Sequence, residues 1–309
     1  MAYQTPFTRL EFVQALARAM GEKYRPLAIP VIGSGPPRTM YATCAAAPYR
    51  SQYVSLAPFY LCASPGWEGE LQRVTLEHII RRLRRVTTRA FVWTVRFDHS
   101  ALARALQSFN IPFQQTTTHV LPLGSGYIRT ASGYSATIRN QIRKAARRGV
   151  CVRDADSEAD VRAYCQLHAR LVEQREWLGF RYPETLFLEL VRLKDFVRLL
   201  IAEHEGRVVS GALLFRDADC VLYWHGATNR DCSHLFASRP ILDEAIRWAC
   251  EMGARFVDFG GSAGIASLEG FKLSWGARPE MNWVFEWISP LWTSLSTLKS
   301  RFEAITTRT

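Results

Sequence analysis

The segment GARFVDFGGSAGIASLEGFKLSWG, residues 253–276, carries the most informative pattern in this chain of 309 residues. Residues 255–259 have the apolar composition of a short strand, and the glycine-rich stretch 260–264 follows directly. A predicted helix, 239–252, precedes that strand. The segment is therefore predicted to belong to a unit in which helices and strands alternate.

The glycine-rich stretch matches the G-x-S-x-G pattern of hydrolase nucleophile elbows, with Ser262 in the nucleophile position. That fold requires an acidic residue and then a histidine downstream of the serine. The last histidine is His234 and the last aspartate is Asp258, so this order cannot be met. We therefore predict a tight turn, or a turn at which the backbone approaches a ligand.

Lys272 is the candidate for chemistry in this segment, because Phe271 and Trp275 surround it with aromatic walls. An ammonium in a low-dielectric setting stabilises negative charge that develops on a carbonyl oxygen. The chain has only five lysines among its 39 basic residues, and ammonium and guanidinium groups are not interchangeable. The alternative is a surface lysine whose stem covers apolar groups while its head stays in water.

Apolar periodicity predicts an α/β (α+β) fold with two domains of similar size. We place an N-terminal domain at 1–128 and a C-terminal, catalytic domain at 129–288. Gly124-Ser125-Gly126 is the predicted hinge. A helix is predicted over 132–148, with Ser132 as its cap, and a strand over 58–62. A terminal helix, 289–309, starts at Ser289-Pro290 and is expected to pack on the first domain.

The net charge of +11 favours a polyanionic partner. Residues 129–153 hold seven basic residues and no acidic one, and a second basic run covers 81–85. RNA, DNA, a phosphorylated small molecule and an anionic membrane all remain possible partners on charge alone. The alternative is that the arginines only make the surface soluble.

The sequence lacks the main motifs of several other functional classes. The chain has no P-loop, no dinucleotide-binding glycine motif and no apolar run long enough to cross a membrane. We expect a cytoplasmic protein with reduced thiols, because the seven cysteines show no Cys-x-x-Cys spacing and no signal peptide precedes them. No metal site is expected, since His225, Cys232 and His234 lack a fourth ligand.

Five short pieces, taken together and in this order, resemble the FemABX aminoacyltransferases, a branch of the GNAT-like acyltransferases. They are RNQIRKAARRGV (139–150), LGFRYP (178–183), LYWHGA (222–227), GARFVDFGGS (253–262) and FKLSWG (271–276). The resemblance implies two tandem GNAT-like domains with mixed central sheets. It also implies transfer of an amino acid from aminoacyl-tRNA to the amine of a small-molecule or peptide acceptor, with no cofactor.

The resemblance implies that Lys272 lies at the catalytic centre. We expect the substrate to contact residues near the same segment by order of elements: Phe271, Tyr223, His225, Asp258, Arg239 and Trp275. Tyr223 and His225, two residues apart, are predicted to share one strand face. Phosphates of the tRNA are expected to bind the basic helix at Arg139, Arg143, Lys144, Arg147 and Arg148. Packing between domains, with solvated arginines, is the alternative role of that helix.

Two other functions stay open. An acyl-CoA-dependent N-acyltransferase of the GNAT superfamily would bind pyrophosphate with a glycine-containing loop, but the corresponding stretch 229–240, NRDCSHLFASRP, has no glycine. A non-catalytic RNA-binding protein would use the basic runs and make the Phe271-Lys272 segment expendable. Membrane attachment through tryptophans near the C-terminus is less favoured, since Trp283, Phe285 and Trp287 alternate as in a strand that faces a core.

Overall fold

A computed structural model describes residues 5–21, 24–31, 38–46, 52–59, 61–64, 71–124, 126–174 and 182–295. The helices are α1 (Leu10–Met20), α2 (Leu71–Val86), α3 (Ser100–Gln107), α4 (Tyr127–Ser132), α5 (Ala136–Arg147), α6 (Glu158–Glu173), α7 (Glu184–Val191), α8 (Ser238–Glu251) and α9 (Ala266–Leu273). The strands are β1 (Tyr24–Val31), β2 (Arg38–Ala46), β3 (Gln52–Ser55), β4 (Ala90–Val95), β5 (Phe113–Pro122), β6 (Cys151–Asp154), β7 (Val197–His204), β8 (Arg207–Asp217), β9 (Cys220–Thr228), β10 (Phe256–Asp258) and β11 (Arg278–Ile288).

The chain divides into two compact units, one formed by residues 1–116 with 282–309 and the other by residues 117–281. In the first unit the strand order is β1-β2-β3-β4-β11. Only β3 and β4 pair in parallel, and α2 connects them, because parallel neighbours need a crossover. Phe285 of β11 is fully buried, and Trp287 stacks on Phe91 of β4.

The second unit has the strand order β5-β10-β9-β8-β7-β6. From β7 to β5 its pairings are antiparallel, antiparallel, parallel and antiparallel, the same series that runs from β1 to β11 in the first unit. Helix α8 is the crossover between the parallel strands β9 and β10. The mixed α/β fold predicted from the sequence is confirmed, and the two units repeat one topology.

The unit boundaries fall at 116/117 and 281/282, whereas the sequence analysis placed them at 128/129 and 288/289. Strand pairing accounts for the difference. Val120 of β5 pairs with Asp258 of β10, so the end of β5 belongs to the second unit. Trp283–Ile288 pair with β4, so the end of β11 belongs to the first.

Three local predictions are corrected or only partly described. Ser135, not Ser132, caps the basic helix, because Ser132 ends the separate helix α4 and the Ser135 side chain accepts from the Ile138 N–H. The predicted strand 58–62 is a bend and turn at residues 56–59. Ser289 accepts a hydrogen bond from the Trp292 N–H and starts the terminal helix as predicted. Residues 296–309 of that predicted helix and Ser125 of the predicted hinge lie outside the described residues.

None of the helices in the described residues has the length and apolar character needed to span a membrane. None of the seven cysteines, all of which lie in the described residues, forms a disulfide bond.

Candidate active site

The turn after β10 lies directly against β5. The Phe259 N–H donates to the His119 carbonyl at 2.8 Å, and the His119 N–H donates to the Gly260 carbonyl at 3.1 Å. Gly260 has φ +72°, which favours glycine. A Cβ on Gly261 would lie 3.0 Å from the Thr117 carbonyl oxygen, so the close approach of the two backbones needs a glycine there too.

Lys272 on α9 is buried, with only 4% of its surface exposed. Its Nζ donates to the carbonyl oxygens of Gly260 at 2.8 Å and Gly261 at 2.7 Å. Burial lowers the pKa of Lys272 from 10.5 to about 8, and the charge of Asp258 opposes that shift. The alternative of a solvated surface lysine is therefore wrong.

Asp258 holds the turn that receives the lysine. Its Oδ1 accepts a hydrogen bond from the Gly260 N–H at 2.8 Å and another from the Thr118 hydroxyl of β5. Because the carboxylate is buried and already hydrogen-bonded, its contribution to Lys272 is electrostatic. The structure thus brings together Asp258 and Lys272, two of the residues predicted for the site.

A second group is formed by Arg239, Tyr223 and Phe271, the last of which precedes Lys272 in the chain. The Arg239 guanidinium lies 4.6 Å from the Phe271 ring centroid, and its Nε donates to Gln141 of α5 at 2.8 Å. Burial lowers the pKa of Arg239, and Tyr223 opposes that shift. Burial also raises the pKa of Tyr223 to about 12. Among the described residues Arg239 forms no ion pair, so this half-buried cation can serve a ligand anion.

Trp275 supports this group from the protein interior. It is fully buried, and its ring meets Phe271 edge-on at 6.2 Å and Tyr134 edge-on at 4.9 Å. Trp275 therefore positions Phe271 rather than lining an open surface.

His225 does not join the other predicted residues. The β8–β9 register pairs Leu214 with Tyr223 and Leu213 with His225, which leaves Trp224 as the extra residue of a β-bulge. Because Leu213 and Leu214 point to opposite faces, so do Tyr223 and His225, and the prediction of a shared face is wrong.

The side chain of His225 lies instead beneath α6 and α7. The Tyr164 hydroxyl is 3.0 Å from His225 Nδ1, and the His168 ring centroid is 4.2 Å away. Burial lowers the pKa of His225 to about 3, and His168 adds to the effect. A neutral, enclosed imidazole of this kind is a core residue.

Sequence reasoning missed His119 and Glu269. His119 of β5 is 1% exposed, and its Nδ1 lies 3.3 Å from the Ser262 hydroxyl. On the other side of the ring, Nε2 lies 3.6 Å from a carboxylate oxygen of Glu269. The only signal was the serine of the G-x-S-x-G pattern, and its histidine partner precedes it by 143 residues.

The five basic residues predicted to bind phosphate are all exposed on α5 and at its C-terminal end. Arg139 caps the carbonyls of Ser132 and Tyr134, and Arg148 donates to the His234 carbonyl. Within the described ranges none of the five forms an ion pair with a carboxylate. Their positive charge is therefore available to an external anion.

The stretch between β9 and α8 forms a 3-10 helix, Arg230–Leu235. Its own carbonyls and side chains already bind several of its amides: the N–H of Asp231 donates to the Asn229 side chain, that of Cys232 to the Asn229 carbonyl and that of Phe236 to Ser233. Pro240 has no N–H to offer. These amides are therefore not available to a pyrophosphate.

A separate cavity of ≈ 480 Å³ lies between α6 and the residues before α7. Cys165, Arg170, Glu173, Tyr182 and Glu184 are among its lining residues, and none of the predicted site residues lines it. The LGFR part of the piece at 178–183 lies outside the described residues.

Known proteins resemble this chain in one domain and in the overall fold. Residues 132–273 match the acetyltransferase (GNAT) domain family. A search of curated proteins found no match. Among solved structures, FemX is similar with a TM-score of 0.70 at 14% identity, over 95% of this chain and 94% of FemX.

Two further structures share the fold. A conserved protein of unknown function from Bacteroides thetaiotaomicron gives a TM-score of 0.61 at 14% identity, over 89% of this chain and 88% of its own. L-PGS from Bacillus licheniformis gives a TM-score of 0.54 at 13% identity, over 90% and 91% of the two chains. Residues 132–273 thus match a GNAT domain, and the chain shares the fold of FemX over most of its length.

Proposed function

We propose that the protein transfers an aminoacyl group from aminoacyl-tRNA to the amine of a small-molecule or peptide acceptor. The observation that carries this proposal is the Lys272 ammonium, buried on the carbonyls of Gly260 and Gly261. The resemblance to FemABX aminoacyltransferases supports the choice of donor, and the shared fold with FemX is consistent with it.

Aminolysis of an aminoacyl ester needs little covalent help. The amine nitrogen bonds to the ester carbonyl carbon, and the bond from that carbon to the tRNA 3′-oxygen then breaks. Lys272 has three N–H donors, and two of them are bound to carbonyls. The third donor stabilises the oxyanion, or the departing 3′-oxygen, in a setting where low dielectric strengthens the interaction.

The exposed cations of α5 hold tRNA phosphates in this proposal. Arg143, Lys144 and Arg147 lie on one exposed helix surface, without carboxylate partners in the described part of the chain. Gln141 of the same helix binds Arg239, which lies against Phe271 next to Lys272. Phosphate bound along α5 therefore lies on a path of direct contacts that leads to the catalytic lysine.

The alternative is an acyl-CoA-dependent N-acyltransferase, which the match to the acetyltransferase (GNAT) domain favours. Against it stands the 3-10 helix Arg230–Leu235, which binds several of its own amides. A non-catalytic RNA-binding protein would give no reason for burying an ammonium as deeply as Lys272.

The decisive experiment incubates the protein with radiolabelled aminoacyl-tRNA and a panel of amines. We expect amide formation that RNase treatment of the donor abolishes and that added CoA leaves unchanged. Transfer that resists RNase and requires acyl-CoA would establish the alternative. Lys272→Ala is expected to lower turnover while tRNA affinity stays within about twofold, and an equal loss of both would remove the catalytic assignment.

A further inference from the structure

Ser262, His119 and Glu269 form a line from the interior to the surface beside the Gly260–Gly261 turn. Ser262 is 6% exposed and His119 1% exposed, whereas the Glu269 side chain is 48% exposed. The Ser262 hydroxyl lies 3.3 Å from His119 Nδ1, and His119 Nε2 lies 3.6 Å from the Glu269 carboxylate. No part of the aminoacyl-transfer chemistry described above uses these three groups.

The surroundings of His119 favour one tautomer. The Glu269 carboxylate only accepts hydrogen bonds, and although 3.6 Å from Nε2 is beyond hydrogen-bond distance, its charge favours the proton on that nitrogen. The Gly260 carbonyl lies 3.4 Å from Nδ1, but both of its lone pairs are already used by the His119 N–H and by Lys272. Nδ1 therefore keeps its lone pair, and the Ser262 hydroxyl donates to it.

We propose that His119, acting through Ser262, accepts the proton that the amine releases during transfer. As the C–N bond forms, the amine gives a proton to the Ser262 oxygen, and Ser262 passes its own proton to Nδ1. The 3′-oxygen leaves with a proton from Lys272, which regains one from water. The imidazolium then returns its Nδ1 proton to Ser262, which gives its own proton to water, so that Nε2 keeps its proton and Nδ1 regains its lone pair. This assignment rests on the proposed aminoacyl transfer.

The Gly260 carbonyl explains how one reacting centre can use both groups. Its oxygen lies 2.8 Å from Lys272 Nζ and 3.4 Å from His119 Nδ1, so the ammonium and the imidazole flank the same peptide group. The charged groups around the imidazole are Glu269 and Lys272 of α9 and Asp258 of β10.

The tautomer can be measured without any substrate. Imidazole ¹⁵N spectra of the wild-type protein, with His119 assigned by comparison with His119→Asn, are expected to show a protonated Nε2 and an unprotonated Nδ1. A protonated Nδ1 in the resting protein would overturn the proposal, because that nitrogen could not accept a proton from Ser262.

Kinetic measurements then test the proton relay through Ser262 to His119. His119→Asn and Ser262→Ala are each expected to lower kcat about 100-fold, with KM for aminoacyl-tRNA within about twofold. The double variant should be no slower than either single variant. Ser267→Ala, an exposed serine on α9, is the matched control and should behave as wild type.

Two results would overturn the assignment. One is a His119→Asn enzyme with the kcat of wild type; the other is an acyl ester on Ser262 in rapidly quenched wild-type enzyme, which would make the serine a nucleophile. A wild-type protein that transfers nothing from aminoacyl-tRNA to any amine refutes the proposed function itself. Failure of the relay and failure of the function are thereby distinguished.

Discussion

Tyr223 and His225 lie on opposite faces of β9, because the bulge at Trp224 shifts the strand by one residue. Tyr223 faces the side that holds Arg239 and α8, and its ring centroid lies 6.4 Å from that of Phe259. His225 faces α6 and α7, where it meets Tyr164. The bulge thus assigns one of these neighbours to the candidate site and the other to the core.

Substitutions of the two residues should separate function from stability. Tyr223→Phe removes the hydroxyl beside Arg239 and is expected to lower kcat/KM about tenfold, the effect of about 1.4 kcal/mol, without changing Tm. His225→Gln is expected to leave kcat/KM of the folded enzyme within about twofold and to lower Tm. Transfer assays and thermal unfolding measure both. The reverse pattern would mean that the bulge does not separate the two side chains.

The buried imidazole of His225 should make the protein acid-sensitive. Its pKa is about 3 in the folded protein, below the ordinary 6.5, so folding disfavours the protonated form. The neutral His225 contributes its full stability above about pH 6.5, and that contribution is lost progressively as the pH falls toward 3. Urea unfolding at pH 7 and pH 5 should show a loss that is smaller in His225→Phe, and an equal loss would refute the explanation.

Much of the second unit could be predicted from local sequence. The helix predicted over 239–252 and the strand predicted over 255–259 agree with α8 and β10 to within one residue at each end. Lys272 was found because it is a rare residue type in an aromatic segment, and its burial is confirmed. Local composition was informative wherever the chemistry and the packing involve residues close together in the chain.

Features that depend on contacts between distant parts of the chain, or on an interruption of regular structure, could not be predicted from local sequence. The shared face of Tyr223 and His225 assumed unbroken alternation, which the bulge interrupts. His119 carried no signal because its partners, Ser262 in the turn after β10 and Glu269 on α9, lie far along the chain. Ser135 replaced Ser132 as the cap because a separate short helix, α4, precedes α5. None of these relations leaves a periodic trace in the sequence.

Loss of the Lys272 charge should limit activity at alkaline pH. The pKa of Lys272 is about 8, and the oxyanion is stabilised only by the charged form, so kcat should fall as the pH rises through 8. Lys272→Arg keeps its charge above that pH, and its residual activity should show no such fall. Profiles of kcat measured from pH 6 to pH 10 test this. An identical alkaline fall in both enzymes would assign it to another group.

Removal of charge from α5 should weaken tRNA binding and its dependence on salt. Replacing Arg143, Lys144 and Arg147 by Ala is expected to remove about three phosphate contacts. The slope of log Kd against log salt concentration should fall by about 0.7–0.9 for each lost contact. The control replaces Arg81 and Arg85, exposed on α2. Filter binding at several salt concentrations provides the measurement. An equal effect of the α2 variant would show that α5 has no particular role in tRNA binding.

A methyl group at Gly261 should disturb the carbonyls that hold Lys272. Its Cβ would lie 3.0 Å from the Thr117 backbone oxygen, which cannot rotate away, so the turn itself must move. Gly261→Ala is expected to lower kcat at least about tenfold, or about 1.4 kcal/mol. Gly270→Ala is the matched control, because open space surrounds that position on α9 and alanine favours helices by about 0.5–1 kcal/mol. It should keep its activity and gain stability; if the two variants lose activity equally, the position of the Gly261 carbonyl does not matter for catalysis.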